Sequence, residues 1–321
     1  MDVNAGFIFQ PTTPVVGTSL PATTGGAVAP PPAAPSAELG QLAGLLGNWQ
    51  GKGFNTIWLP RQPATGSDQF LELNLTDETL SFDPVPGDIP NRGLLQGDIR
   101  MAGLHYLQQI SDANVIDSST QKNAGLHFEP GLWLAVPATT DPVVPQSVAR
   151  LASIPHGTTI VAQGLMTTNA GGPAIPSVSI TPFVIGNPQS TVGFPEQTLT
   201  ATTSFRTAGA GLTNIGQPML DNPNSVLTTV AGAVNVATTT TLSVSSFSTP
   251  ILGGGTANTA FLQGGPNGPN ADTARVDATF WLQTTEGAAS PDLLQYSQTV
   301  LLNFKGLSWP HVTVATLRRV P

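Results

Sequence analysis

The chain has 321 residues, only 9% of them charged, and a net charge of -8 with eleven Lys and Arg spread along its length. So few cations build no basic patch, which argues against nucleic acid as a partner. Cysteine is absent, which excludes disulfides, thiolate catalysis and Cys-ligated zinc or iron, and no apolar run reaches the roughly eighteen residues of a membrane-spanning helix.

Glycine and proline, 34 and 30 residues, make up about a fifth of the chain. Long helices are therefore unfavourable and turns frequent. Val, Ile, Thr and Ser dominate between the turns, which is a β signature. The start, Met1-Asp2-Val3-Asn4, shows no basic region followed by an apolar core, so no secretory leader is visible and the expected location is cytoplasmic.

Residues 1–35 are rich in Pro, Thr, Gly and Ala and end in Ala29-Pro30-Pro31-Pro32-Ala33-Ala34-Pro35. They read as an extended arm without a core of its own. Phe7, Ile8 and Phe9 could pin it to the wall of the domain or to a partner subunit of a homo-oligomer. Residues 36–321 read as one domain. Ser36 looks like an N-cap, with Glu38 in the first turn and Leu39, Leu42, Ala43, Leu45 and Leu46 at helical spacing. This predicts a short N-terminal helix that covers one mouth of the domain and leads into a strand carrying Trp49.

Alternation then predicts strands at 52–59, 69–75, 79–82, 104–112, 125–136, 148–153, 158–165, 197–207, 238–249, 273–286, 294–304 and 311–319. In 294–304, Leu294, Tyr296, Val300, Leu302 and Phe304 share one face and polar residues the other, with Gln298 breaking the apolar face. Such strands separate an inside from an outside, as closure into a barrel requires. Lys305-Gly306 should turn 294–304 back onto 311–319. Between about 166 and 235 the sequence loosens into Gly/Pro turns, with a helix expected at 223–232, and 251–271 reads as loop. The fold class is all-β, a closed antiparallel calycin-like barrel with a long insertion at about 166–271.

Four motifs carry chemistry, in this order. Gly47-Asn48-Trp49-Gln50-Gly51-Lys52-Gly53 has a plugging Trp and glycines that let a first strand bend. Next come Leu104-His105-Tyr106-Leu107-Gln108-Gln109 and Gly125-Leu126-His127-Phe128-Glu129-Pro130-Gly131-Leu132-Trp133. Thr159-Ile160-Val161-Ala162-Gln163-Gly164 follows, and the chain closes on Trp309-Pro310-His311-Val312 with Ala315-Thr316-Leu317. In this set the chain resembles the nitrobindin family, over about a third of its length. Pro130 departs from that family's pattern, the chain is longer than a single nitrobindin domain, and 166–271 has no counterpart there. The resemblance implies a b-type haem bound by His311 as the proximal iron ligand, with His127 across the pocket. It places Trp49, Gly51, Gly53 and Leu126 with these two as cofactor-binding positions, and it implies isomerisation of peroxynitrite as the characteristic activity.

Read from the residues alone, His311 is either an axial donor in an apolar pocket or a satisfied polar residue at a strand start. His127 is either a group facing a ligand or a structural partner of Glu129. His156 falls in a turn and should be exposed. Of His105 and Tyr106 the ring of Tyr106 should face inward, because burying an unpartnered imidazole costs more. The carboxylates form no cluster at metal spacing, Gly253-Gly254-Gly255 lacks the Lys of a phosphate loop, and no Gly-x-Ser-x-Gly elbow appears. Three functions compete: a haem protein acting on nitric oxide, peroxynitrite or peroxide; a non-catalytic carrier of an apolar small molecule such as a fatty acid or terpenoid; and a structural protein built around the arm.

Overall fold

The computed structural model describes residues 38–60, 69–204 and 214–321. The expected arm and the Ser36 cap lie outside the described residues. Ten antiparallel strands close on themselves: β1 (Gly47–Pro60), β2 (Gln69–Pro84), β3 (Ile99–Ile116), β4 (Asn123–Val136), β5 (Ser147–Ile154), β6 (Thr158–Ala170), β7 (Val236–Ser245), β8 (Asp272–Thr285), β9 (Leu293–Phe304) and β10 (Leu307–Val320). Each pairs with the next, and β10 returns to β1 in the register Trp49↔Arg319 to Thr56↔Val312. Closure leaves the ring without a free edge.

The turn between β9 and β10 is the expected one. Lys305 and Gly306 both have positive φ, 49° and 76°, as a two-residue hairpin matched to strand twist requires. Where β1 meets β10 the backbones run too close for side chains: a Cβ on Gly51 would lie 2.0 Å from the Thr316 carbonyl oxygen, and one on Gly53 2.3 Å from that of Val314. These glycines serve the seam of the barrel.

Three expectations need correction. The segments 69–75 and 79–82 form one strand, because Thr76 and Glu78, polar enough to suggest a turn, face the interior and find partners there. The segment 197–207 is not a strand in its described part: Pro195–Gln197 is a 3₁₀ turn, and Phe194 and Leu199 pack on the outside of the wall. The N-terminal helix is a 3₁₀ segment, Gly40–Leu45, begun by Gly40 at φ 54°. It is short because it is squeezed against the barrel; a Cβ on Gly44 would sit 2.7 Å from Leu282 Cδ2. The helix expected at 223–232 is found as Ser225–Ala231, and a further short helix, Gln217–Asp221, precedes it; the two are separated at Pro223, which has no N–H to continue the first.

Two apolar clusters follow from strand alternation. The inner one fills the lower barrel and joins Leu42 and Leu45 to Trp49, Trp133 and Phe280. Trp49 is 1% exposed, donates from its indole to the Leu45 carbonyl at 2.7 Å, and lies under the Arg319 guanidinium at 4.4 Å. This end is plugged. The outer cluster covers the other face of β1 and β10, where Phe54, Trp58, Val312 and Val314 meet Ile180, Leu220 and Leu227 of the insertion. Trp58 donates to the Ile180 carbonyl at 2.8 Å, and Trp309 stacks on Phe304 with centroids 4.7 Å apart. This part of the insertion thus clads the barrel from outside.

Candidate ligand-binding cavity

Above the apolar plug the interior turns polar. On β4, Glu129 is 0% exposed and receives hydrogen bonds from Arg150 on β5, from Tyr106 on β3 and from His127, whose Nε2 lies 3.1 Å from Glu129 Oε2. Arg150 also donates from Nε to Tyr106 Oη at 2.9 Å and from Nη1 to Gln298 Oε1 at 2.6 Å. Space for the Tyr106 ring comes from Gly131, where a Cβ would lie 2.5 Å from the ring. Pro130 faces outward just before β4 begins to pair with β5, so its missing N–H breaks no ladder bond there. Beside this group Tyr296 donates to Glu78, and Tyr296 accepts from Gln108 Nε2 at 2.9 Å.

The two carboxylates are driven apart. Burial raises Glu78 from 4.5 to about 7 against the hydrogen bonds of Tyr296 and Thr76. Burial also acts to raise Glu129, but the Arg150 charge, with His127 and Tyr106, holds it down at about 2. The buried ion pair is therefore intact at neutral pH, while Glu78 is near half-protonation.

Over this belt lies a cavity of about 330 Å³, within the usual range of small-molecule pockets. Ile57, Leu59, Ile110, Leu126, Val300 and Leu302 line its walls, and Leu262 of a short helix, Ala260–Gln263, stands at the mouth. His311, His127 and His156 all border it. His311 Nε2 is 2.9 Å from Asn55 Oδ1, and the same oxygen accepts from Thr313 Oγ1 at 3.0 Å. A carboxamide oxygen only accepts, so the proton of His311 sits on Nε2 and Nδ1 keeps a lone pair. Burial, helped by His127 and His156, lowers His311 to about 3. The imidazole is neutral. His127 lies on β4, four strands around the ring from β10, and its ring stands 5.8 Å from that of His156.

Of the six sequence-predicted positions, the cavity brings together His311, His127 and Leu126. Trp49, Gly51 and Gly53 are not among its lining residues; Trp49 belongs to the plug and the glycines to the seam. His156 is exposed as expected, yet it borders the cavity, a neighbourhood its turn sequence did not signal. Tyr106 points inward and His105 outward. Asn55, Arg150, Glu78 and the role of Gln298 were missed. The signal for Arg150 was a charge at an inward position of the apolar strand Val148-Ala149-Arg150-Leu151-Ala152.

Among the described residues no three His, Cys, Asp or Glu side chains converge to hold a metal ion, and no helix is long and apolar enough to cross a membrane. No protein-family model and no curated protein matches the chain. Among solved structures the chain is similar to one described as "Crystal Structure of Rv2717c from M. tuberculosis", with 14% identity and a TM-score of 0.40 over 88% of this chain and 97% of that one. A likeness at that level carries no functional argument.

Proposed function

We propose that the cavity is a ligand site whose occupant is haem b, with His311 as the axial donor and His127 on the far wall, serving chemistry on nitric oxide, peroxynitrite or peroxide. The observation that carries this reading is the convergence of three of the chain's four histidines on one cavity with apolar walls. The donor set fits the group. A neutral imidazole is the form that ligates iron, and an acceptor on its other nitrogen fixes tautomer and ring orientation. Asn55 is that acceptor here: the ring offers Nδ1 as it stands, or Nε2 once the bond to Asn55 is exchanged. Bound haem would supply an iron centre with a position open to a small molecule. The chain itself supplies apolar walls that exclude water and His127, oriented by Glu129, as a hydrogen-bonding group beside the bound molecule.

Haem titration followed by absorbance tests this. Wild type and His156→Ala should take up one haem with the same Soret band, His127→Ala should bind with a shifted band, and His311→Ala should lose most of its affinity. Unchanged affinity and spectrum in His311→Ala, or no uptake by the wild type, would remove haem from the site. The second reading, a carrier of an apolar small molecule, is favoured by the aliphatic walls, which suit any flat apolar occupant. It predicts a colourless protein that stays colourless in haemin.

A further inference from the structure

Gln298 is the residue that interrupts the inward apolar face of β9, and it borders the cavity at 8% exposure. Its orientation is not free. Arg150 Nη1 lies 2.6 Å from Oε1, and a guanidinium has donors only, so the carboxamide oxygen must face Arg150 and the NH₂ must face away. Arg150 is itself fixed by Glu129 and Tyr106. The Nε2 end makes no hydrogen bond among the described residues, and it is not one of the buried atoms sealed off without a partner. Gln298 pairs across the sheet with Thr313, which pairs with Asn55 on β1. The donor therefore belongs to the rung next to His311, at the deep end of the cavity.

We infer that Gln298 is the specificity-determining donor of this cavity, and that the buried end of its ligand carries a neutral acceptor oxygen of the carbonyl class. The inference rests on the cavity being a binding site, not on its holding haem. Neutrality follows from the surrounding charges. Arg150 is balanced by Glu129, and the other ionisable groups that face this end are Glu78 beneath it, Glu72 on the wall and the three imidazoles. His311 is neutral, and His127 donates to Glu129. Among the described residues no unspent cation meets a carboxylate ligand here, and two carboxyl groups oppose one. A carbonyl oxygen takes the Nε2 proton at no such cost. Arg150, which does not reach the ligand, acts as a positioning residue: it sets which end of the amide enters the cavity.

Three probes of nearly equal shape separate the alternatives: 2-acetylnaphthalene, 2-ethylnaphthalene and 2-naphthoate, titrated into the full chain without haem. The wild type should prefer the ketone over the hydrocarbon by roughly fivefold, the worth of one neutral hydrogen bond, and should bind naphthoate more weakly than the ketone. The bound ketone's C=O stretch should lie below its value in hydrocarbon solvent. Gln298→Glu keeps the bond to Arg150 but removes the donors, so the variant should stay folded while the preference and the infrared shift vanish. Gln298→Met should give the same binding result without the charge. Arg150→Met should scatter the stretch over several frequencies while Gln298 is still present. Tighter binding of naphthoate than of the ketone, a preference surviving in both Gln298 variants, or no binding of any probe by the wild type would each overturn the inference. Failure of haem uptake with an intact ketone preference would overturn only the haem reading.

Discussion

Tyr106 with Glu129 and Tyr296 with Glu78 are the same chemical pair, each a phenol donating to a carboxylate no more than 2% exposed. Their titrations nevertheless run in opposite directions, Glu129 to about 2 and Glu78 to about 7. The main difference is one guanidinium, with the His127 imidazole beside it. Arg150, helped by His127, offsets the burial of Glu129, whereas Glu78 hydrogen-bonds only to the neutral Tyr296, Thr76 and Gln108, which favour the anion without neutralising it. Burial decides the outcome where no full charge opposes it. The cavity consequently rests on a floor whose two halves differ in kind, a permanently ionised pair under Gln298 and a carboxyl that titrates near neutrality under Gln108.

Removing the guanidinium breaks the comparison most severely. Arg150→Met leaves Glu129 buried without its counterion, and urea melts at pH 7 should show a loss of about 3–5 kcal/mol. Adding Glu129→Gln should restore a large part of it, since the penalty is that of the unpaired charge. If the double variant is no more stable than the single one, the guanidinium matters for packing rather than for charge.

Glu78→Gln is next in size, and its effect depends on pH. Glu78 has a folded value above its unfolded one, so between about 4.5 and 7 the folded state binds more protons. Its contribution is fully present below about 4.5 and is lost as pH rises through 7. Glu129 has the reverse sign: its contribution is present above 4.5 and is lost as pH falls toward 2. Relative to wild type, Glu78→Gln should gain on the order of 2–3 kcal/mol between pH 4.5 and pH 8. Parallel stability curves for the two proteins across that range would mean that Glu78 titrates normally.

Barrel closure was legible because it rests on local pattern. Alternation in 294–304, the Lys305-Gly306 turn and the Gly-rich seam after Trp49 each act on neighbouring residues. The polar floor was not. Nothing near Arg150 in sequence points to Gln298, and nothing near Glu78 points to Tyr296, because those partners are 148 and 218 residues away. Periodicity marked Gln298 as an exception on an apolar face but could not say what the exception met. The family resemblance groups Trp49, Gly51 and Gly53 with the ligand site. Their inward or seam positions follow from strand pairing, and pairing also puts them below the cavity. His156 is exposed as turn rules dictate, yet its turn borders the cavity, which no local rule signals.

The smallest expected effect sharpens the comparison best. Tyr296→Phe and Tyr106→Phe each delete one phenol oxygen from a chemically matched pair, and each should cost about 1–2 kcal/mol. Their consequences for titration should differ. Without Tyr296 the Glu78 anion keeps the Thr76 hydroxyl, which donates at 2.7 Å, and the Gln108 amide. The carboxyl should then hold its proton to higher pH, and the upper end of its stability slope should move above 7. Without Tyr106 the Glu129 anion still has Arg150 and His127, so its titration should stay far below neutrality and the Glu78 slope should not move. Carboxyl carbon NMR titrations of the two variants read both groups directly. Equal displacement of the Glu78 midpoint by both substitutions would show that the pairs titrate as one coupled unit, and the single guanidinium would no longer explain why they differ.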